Sequence, residues 1–241
     1  MNLKRTEFGV GVMLPEGEIL PIRHIIGIGM NYAAHAIEQG KGVPERPVLF
    51  SKNPYACGLS GEEIVIPRVC QDRPQVDFEA ELGVIVGRHP SGRFVRDVSE
   101  TEALACVLGY VTANDVSARW WQKDGAGGQF NRGKSFDTFC PIGPAVVPGA
   151  TIADPQNLRL TTKVNGEVMQ DANTSDMIFP VRTLIAEISR GTTILPGTLI
   201  LTGTPSGVGF ARKPQVFLKQ GDVVDIEVEG IGMIRNSVRE E

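Results

Sequence analysis

Nowhere in the 241 residues do apolar side chains run together for the ~18 positions that a bilayer-spanning helix needs, so no transmembrane segment is expected. The short apolar stretch from Phe8 to Leu14 is followed at once by Pro15, Glu16, Gly17 and Glu18 and carries no small-residue cleavage pattern. That argues against a secretory signal and makes the cytoplasm the expected location. There is no CxxC pair: Cys57, Cys70, Cys106 and Cys140 are widely spaced, which excludes a zinc ribbon or a thioredoxin-like motif. A chain of this length builds its own core, so the thiols are expected to be reduced and mostly buried. Basic runs are missing too. Lysine and arginine total 24 against 28 aspartates and glutamates, a formal net charge of −4, and they are scattered along the chain. That leaves no electrostatic footprint for nucleic acid. No repeat, low-complexity segment or linker is visible, and the 28 glycines and 16 prolines are evenly spread, so one domain is expected.

What is present is ordinary globular composition, 41% hydrophobic and 22% charged. Strand signals dominate. Phe78 to Val86 reads as a strand bounded by Gly87. Leu158 to Val164 alternates polar and apolar residues, Asn165-Gly166 supplies a hairpin turn, and Glu167 to Gln170 returns. Val107 to Val111, Thr198 to Thr202, Val223 to Val228 and Val216 to Leu218 are further strand candidates. Helical spacing of Val181, Leu184, Ile185 and Ile188 predicts a helix over Val181 to Arg190, with Pro180 ahead of it and Gly191 behind. Shorter helices are expected at Tyr32 to Gln39 and Glu100 to Leu108, each closed by a glycine. The reading is a β-rich, mixed α+β fold with a few helices across it.

Several segments carry groups capable of chemistry. In Asp77-Phe-Glu79-Ala-Glu81-Leu, strand alternation would put three carboxylates on one face and Phe78, Ala80 and Leu82 on the other. Such a face is either an exposed acidic surface or a cation site, because like charges this close repel unless neutralised. Asp115 follows an apolar strand, where it can cap a turn or join that site. In Asn31-Tyr-Ala-Ala-His35-Ala-Ile-Glu38, a helix would set His35 and Glu38 on one face, either as a surface pair or as a general base with its orienting carboxylate. Lys134 sits among small and apolar residues rather than in a charged run, and can supply a fixed positive charge to a developing oxyanion. Thr202-Gly-Thr204-Pro-Ser-Gly207-Val-Gly209 fits neither phosphate-binding fingerprint and reads as a turn whose backbone approaches a ligand.

Taken in order, Gly29-Met-Asn-Tyr-Ala-Ala-His35, Asp77 to Gly87, Asn114-Asp-Val-Ser-Ala-Arg119, Gly133-Lys-Ser-Phe-Asp-Thr-Phe-Cys-Pro141, Val164-Asn-Gly-Glu-Val168 and Leu201 to Gly209 resemble the fumarylacetoacetate hydrolase superfamily. The likeness is to its acylpyruvate-hydrolase-like, domain-containing-protein branch. The resemblance implies a rolled, mixed β-sheet sandwich or barrel with peripheral helices. A short N-terminal β-arm over residues 1–24 would precede a catalytic unit over 25–241. Glu79, Glu81 and Asp115 match the family's metal carboxylates, and hard oxygen donors favour Mg²⁺, with Mn²⁺ or Ca²⁺ as alternatives. His35 and Glu38 match a catalytic dyad and Lys134 a catalytic lysine. Arg119, Gln122 and Thr204 match substrate contacts. A homodimer acting on a small 2-oxo acid through an enolate at the cation is implied. C–C hydrolysis of an acylpyruvate is the first expectation; oxaloacetate decarboxylation or tautomerisation, or isomerisation or decarboxylation of an aromatic-catabolism dienoate, is the alternative. Trp120-Trp121 stands where the family often has an acidic residue, which bears on pocket shape.

Overall fold

The computed structural model describes residues 1–38, 40 and 42–241. Its centre is a curled seven-stranded sheet. In spatial order the strands are Val48–Lys52, His24–Gly29, Thr198–Leu201, Ala80–Val86, Val107–Asn114, Cys140–Pro148 and Cys57–Leu59. Thr198–Leu201 runs parallel to His24–Gly29, and Cys140–Pro148 parallel to Cys57–Leu59; the other neighbours are antiparallel. A second sheet of five strands is ordered Glu167–Asn173, Arg159–Val164, Val223–Val228, Gly232–Glu240 and Ile64–Ile66.

The central strand Ala80–Val86 is buried along its whole length. Its alternation feeds two cores. Leu82, Val84 and Val86 join Leu160, Val224, Ile226 and Ile234 of the five-stranded sheet and the apolar stripe of the helix Val181–Ser189. Ile85, with Val111, Ile142, Leu199 and Leu201, shares a core with Val10 and Val12 of a three-stranded N-terminal sheet, Leu3–Thr6, Gly9–Met13 and Ile19–Pro21, and with Ile22 just beyond it. Each fully buried side chain of this kind contributes about 1.5–3 kcal/mol relative to exposure. The middle of the molecule is therefore packed on both faces.

The hairpin forms because Asn165 and Gly166, both with positive φ (52° and 84°), make the tight turn that matches strand twist. It extends to Asn173, past the expected Gln170. Val181–Ser189 and Val223–Val228 lie where periodicity puts them, Arg190 serving as the helix C-cap. Two expectations are corrected. Glu100–Ala103 is one helical turn followed by the 3-10 turn Leu104–Cys106, because Val107 and Leu108 are drawn into the central sheet, Val107 pairing with Val86. Val216 to Leu218 is no ladder strand: Val216 donates to the Gly209 carbonyl and Leu218 to that of Val76, so its polar backbone is satisfied singly. The short helix after Asn31 covers Ala33–Glu38, and its expected last residue, Gln39, lies outside the described residues. All four cysteines are free and buried.

Candidate active site

Two facing breaks in regular structure, at Phe78-Glu79 and at Asp115-Val116, create the site. The expected continuous strand from Phe78 to Val86 is instead Val76–Asp77, a break at Phe78-Glu79, and Ala80–Val86. The first piece pairs with Ser117–Ala118 and the second with Val107–Asn114. At the break, Asn114 Oδ1 accepts the Glu79 N–H at 3.0 Å and the Asp115 N–H donates to the Glu79 carbonyl at 2.9 Å. Asp115 is thereby laced against Glu79, with Glu81 two residues along. One carboxylate oxygen from each of Glu79, Glu81 and Asp115 lies within 4.8 Å of the others. The expected single face of three carboxylates is corrected in one member. Asp77 leaves the group and accepts from the backbone N–H of Gly209 and Phe210 (2.8 and 3.0 Å) and from Arg119 Nε (2.8 Å).

Lys134 arrives from the short helix Phe130–Lys134. Gly133 permits this, since a Cβ there would collide with the Gln122 amide nitrogen and the Ala118 carbonyl. Lys134 Nζ donates to Glu79 Oε2 at 2.7 Å and to Asp115 Oδ2 at 2.6 Å. Arg119 pairs with Glu79 Oε1 at 2.7 Å as well as with Asp77, and donates to Gln122 Oε1 at 3.0 Å. The electrostatics separate the two glutamates. Burial pushes both upward. For Glu79 the adjacent Lys134 and Arg119 outweigh burial and hold the carboxyl down at about 2. Burial and then the charges of Asp115 and Glu79 hold Glu81 well above the usual carboxylate range, against the 2.6 Å bond from the Gly203 N–H. Glu81 is thus the member of the group whose charged form burial and its acidic neighbours disfavour.

His35 is buried, with Nδ1 3.2 Å from Glu38 Oε2, and Glu38 Oε1 accepts the Gly207 N–H at 3.0 Å. The Asn31 side chain bonds the carbonyls of Thr202 and Phe179 and the Phe179 N–H, fixing the start of this segment. The loop Thr202 to Gly209, read from the sequence as a turn whose backbone approaches a ligand, puts Thr204 on a cavity wall. Amides of this loop and of the next residue serve carboxylates: Glu81 at Gly203, Glu38 at Gly207, Asp77 at Gly209 and Phe210.

A cavity of about 690 Å³ opens beside the group, and His35, Glu79, Arg119, Gln122, Lys134 and Thr204 are on its wall. Glu79 is 5% exposed, against 1% for Glu81 and 0% for Asp115, so the acidic group meets the cavity through Glu79. Trp120 and Trp121 stack edge to face at 4.8 Å, under Arg73 and against Val69, and neither is among the lining residues. The departure at these positions therefore braces the helix Arg119–Gln122 from outside. Two residues escape sequence reasoning. Lys52, fully buried at the end of an apolar strand, donates to Asp115 Oδ1 and to the carbonyls of Val116 (3.2 Å) and Phe139 (2.8 Å). Gln170 accepts from the Ala80 N–H at 3.0 Å and donates to Thr204 Oγ1 at 2.8 Å, joining the acidic strand to the loop. A charged side chain closing an apolar strand is the only trace of Lys52 in the sequence; Gln170 left none.

Residues 24–239 match the model of the fumarylacetoacetate hydrolase C-terminal family. The chain is 47% identical over 216 residues to the mitochondrial oxaloacetate tautomerase FAHD2A of Bos taurus, the match covering 89% of this chain and 66% of that protein. Among solved structures it is similar to the 2-hydroxyhepta-2,4-diene-1,7-dioate isomerase of Mycobacterium marinum (40% identity, TM-score 0.75, covering 91% of this chain and 75% of that one). It is also similar to the fumarylacetoacetate hydrolase of Exiguobacterium antarcticum (39%, TM-score 0.80, 93% and 79%). No helix among the described residues is long and apolar enough to cross a membrane.

Proposed function

The chain belongs to the fumarylacetoacetate hydrolase family, and from that membership we propose that it interconverts the keto and enol forms of a small 2-oxo acid, oxaloacetate first. This replaces acylpyruvate hydrolysis as the leading reading, since a relative at 47% identity bears the name of an oxaloacetate tautomerase. The observation that carries the proposal is that Glu79, at the front of a three-carboxylate group, shares one cavity wall with His35 and Lys134.

The donor set fits a hard divalent cation. Three buried carboxylates supply oxygens, and burial together with the charges of Asp115 and Glu79 holds Glu81 high, which a bound cation would relieve. Glu79, Glu81 and Asp115 would hold Mg²⁺, Mn²⁺ or Ca²⁺, which when bound would polarise the 2-oxo group as a Lewis acid. With Nδ1 turned to Glu38, His35 presents Nε2 as the base that takes a proton from the carbon beside the carbonyl. Glu38 fixes the imidazole tautomer and stabilises the imidazolium that forms. Lys134 offers its ammonium to the oxygen that becomes negative. Arg119, Gln122 and Thr204 orient the substrate carboxylate. His35 then returns the proton to that oxygen, completing the tautomerisation. The catalytic unit is proposed to span residues 25–241 behind the arm of residues 1–24, and to work as a homodimer.

The same dyad can activate a water, which keeps acylpyruvate hydrolysis as a second reading. Purified protein should speed the decay of the enol's ultraviolet absorbance, lose that activity to a chelator and regain it with Mg²⁺ or Mn²⁺. Pyruvate release from acetylpyruvate outpacing oxaloacetate tautomerisation would establish hydrolysis instead. Full activity after chelation would remove the metal role.

A further inference from the structure

The cavity wall has an apolar part beside its ionic one. Met30, Phe50 and Phe130 line it together with His35, Glu79 and Lys134. These three apolar side chains belong to neither hydrophobic core, and all are half-buried. Glycines seat the two rings. Phe50 lies opposite Gly27 in the pairing of Val48–Lys52 with His24–Gly29, and a Cβ at Gly27 would collide with its ring. Gly29 is two residues along the same strand face, and a Cβ there would stand 3.5 Å from the Phe130 ring. Phe130 meets Phe50 edge to face, with centroids 5.6 Å apart. Asn131 Nδ2 donates to the Ser51 carbonyl at 3.0 Å and ties the helix Phe130–Lys134 to this strand. Met30 is held at a φ of 55°, a region that a non-glycine residue keeps only where its surroundings fix it. The aromatic surface begins beside the acidic group. Lys52, two residues after Phe50, bonds Asp115, and the Lys134 ammonium lies 5.0 Å from the Phe50 centroid.

We propose that Phe50 and Phe130, with Met30, form a subsite for an apolar planar tail, so that the pocket also takes arylpyruvates, 2-oxo acids with an aromatic ring on the carbon beside the carbonyl. The inference rests on the function proposed above and deepens it by naming a further substrate class. A cavity of about 690 Å³ is of the size that holds drug-sized ligands, far larger than a four-carbon acid requires. With the carboxylate and 2-oxo group directed to the acidic group, the ring is carried onto the aromatic wall. There it leaves water and packs against two rings already fixed in place. The unbranched thioether of Met30 adapts to its edge. The chemistry is unchanged: His35 takes a proton from the carbon beside the carbonyl and returns it to the oxygen. A C–H bond breaks, an O–H bond forms, and no oxidant or further reactant is needed.

The test compares pyruvate with phenylpyruvate, which share the 2-oxo acid head and differ by one phenyl ring. Calorimetry on Mg²⁺-loaded wild-type protein should show phenylpyruvate bound about tenfold or more tightly than pyruvate. Phe130→Leu and Phe50→Leu should each shrink that ratio several-fold, and the ratio of phenylpyruvate to oxaloacetate turnover should fall with it. The wild-type pair of ligands needs no substitution, so the proposal stays falsifiable even where a variant fails to fold. A phenyl preference in protein that tautomerises neither acid would uphold the subsite and sink the proposed reaction. Oxaloacetate turnover with equal affinity for pyruvate and phenylpyruvate, or with a phenyl preference that both folded variants keep in full, would overturn the subsite and leave the reaction standing.

Discussion

Replacing Lys52 with methionine isolates the residue that linear reasoning missed. The wild-type ammonium is fully buried and bonds Asp115 Oδ1 and the carbonyls of Val116 and Phe139. Methionine nearly preserves side-chain volume, so cavity formation is a minor cost. Removing one partner of a buried ion pair typically costs about 3–5 kcal/mol, because the remaining charge is left less compensated. Two carbonyls losing a charged donor act in the same direction, and the Lys134 bond to Asp115 Oδ2 at 2.6 Å limits the loss. The expected net is roughly 4 kcal/mol, a large share of the ~5–15 kcal/mol that a domain commands. Urea unfolding of chelator-treated protein at neutral pH reads it as a lowered midpoint with unchanged slope. The missing charge was positive, so the acidic group becomes a better cation site. Mn²⁺ affinity should therefore hold or rise while stability falls, and saturating Mn²⁺ should restore part of the midpoint. A stability loss below about 1 kcal/mol would refute the buried-pair reasoning, and a fall in Mn²⁺ affinity alongside retained stability would refute the electrostatic account.

Glu79→Gln removes the carboxylate that meets the cavity and should lose most Mn²⁺ affinity while circular dichroism stays native; unchanged affinity in calorimetry would count against the metal assignment. His35→Ala should cut turnover by roughly 10²–10⁴-fold with metal binding intact, and wild-type rates in that variant would exclude the base role. Stability should also fall on the alkaline side. Burial pushes the Cys70 thiol from 9.0, and the Tyr110 hydroxyl from 10.0, to about 12. Between those values the unfolded chain has released protons that the folded chain retains, so the slope of stability against pH is negative from about pH 9 upward. A urea midpoint lower at about pH 10.5 than at pH 8, and flattened by the paired changes Cys70→Ala and Tyr110→Phe, is the expected result; equal midpoints in wild type would overturn it.

Legibility differed from element to element for physical reasons. Val223–Val228 and the helix Val181–Ser189 follow from one-dimensional periodicity, since each buries one face and is bounded by residues that suit its ends. Glu100 to Leu108 looked helical through its end, but pairing with Val86 outweighed local preference from Val107 onward. The acidic strand was read as one continuous face because alternation assumes a single partner. Two partners, Ser117–Ala118 and Val107–Asn114, break it between Asp77 and Ala80, and the break sends Asp77 to Arg119 and Phe210.

The amino-acid order by itself determined the family likeness and the identity of the candidate groups: Glu79, Glu81, Asp115, His35, Glu38 and Lys134 sit in ordered motifs whose chemistry is written in their side chains. Only the tertiary structure decided how those groups share charge. Lys134 bridges Glu79 and Asp115, Lys52 joins from a strand 63 positions away from Asp115, and Gly203 reaches Glu81 across 122 positions. Such bonds depend on sheet order and register, which are set by burial summed over the whole molecule. No local window of sequence contains that sum.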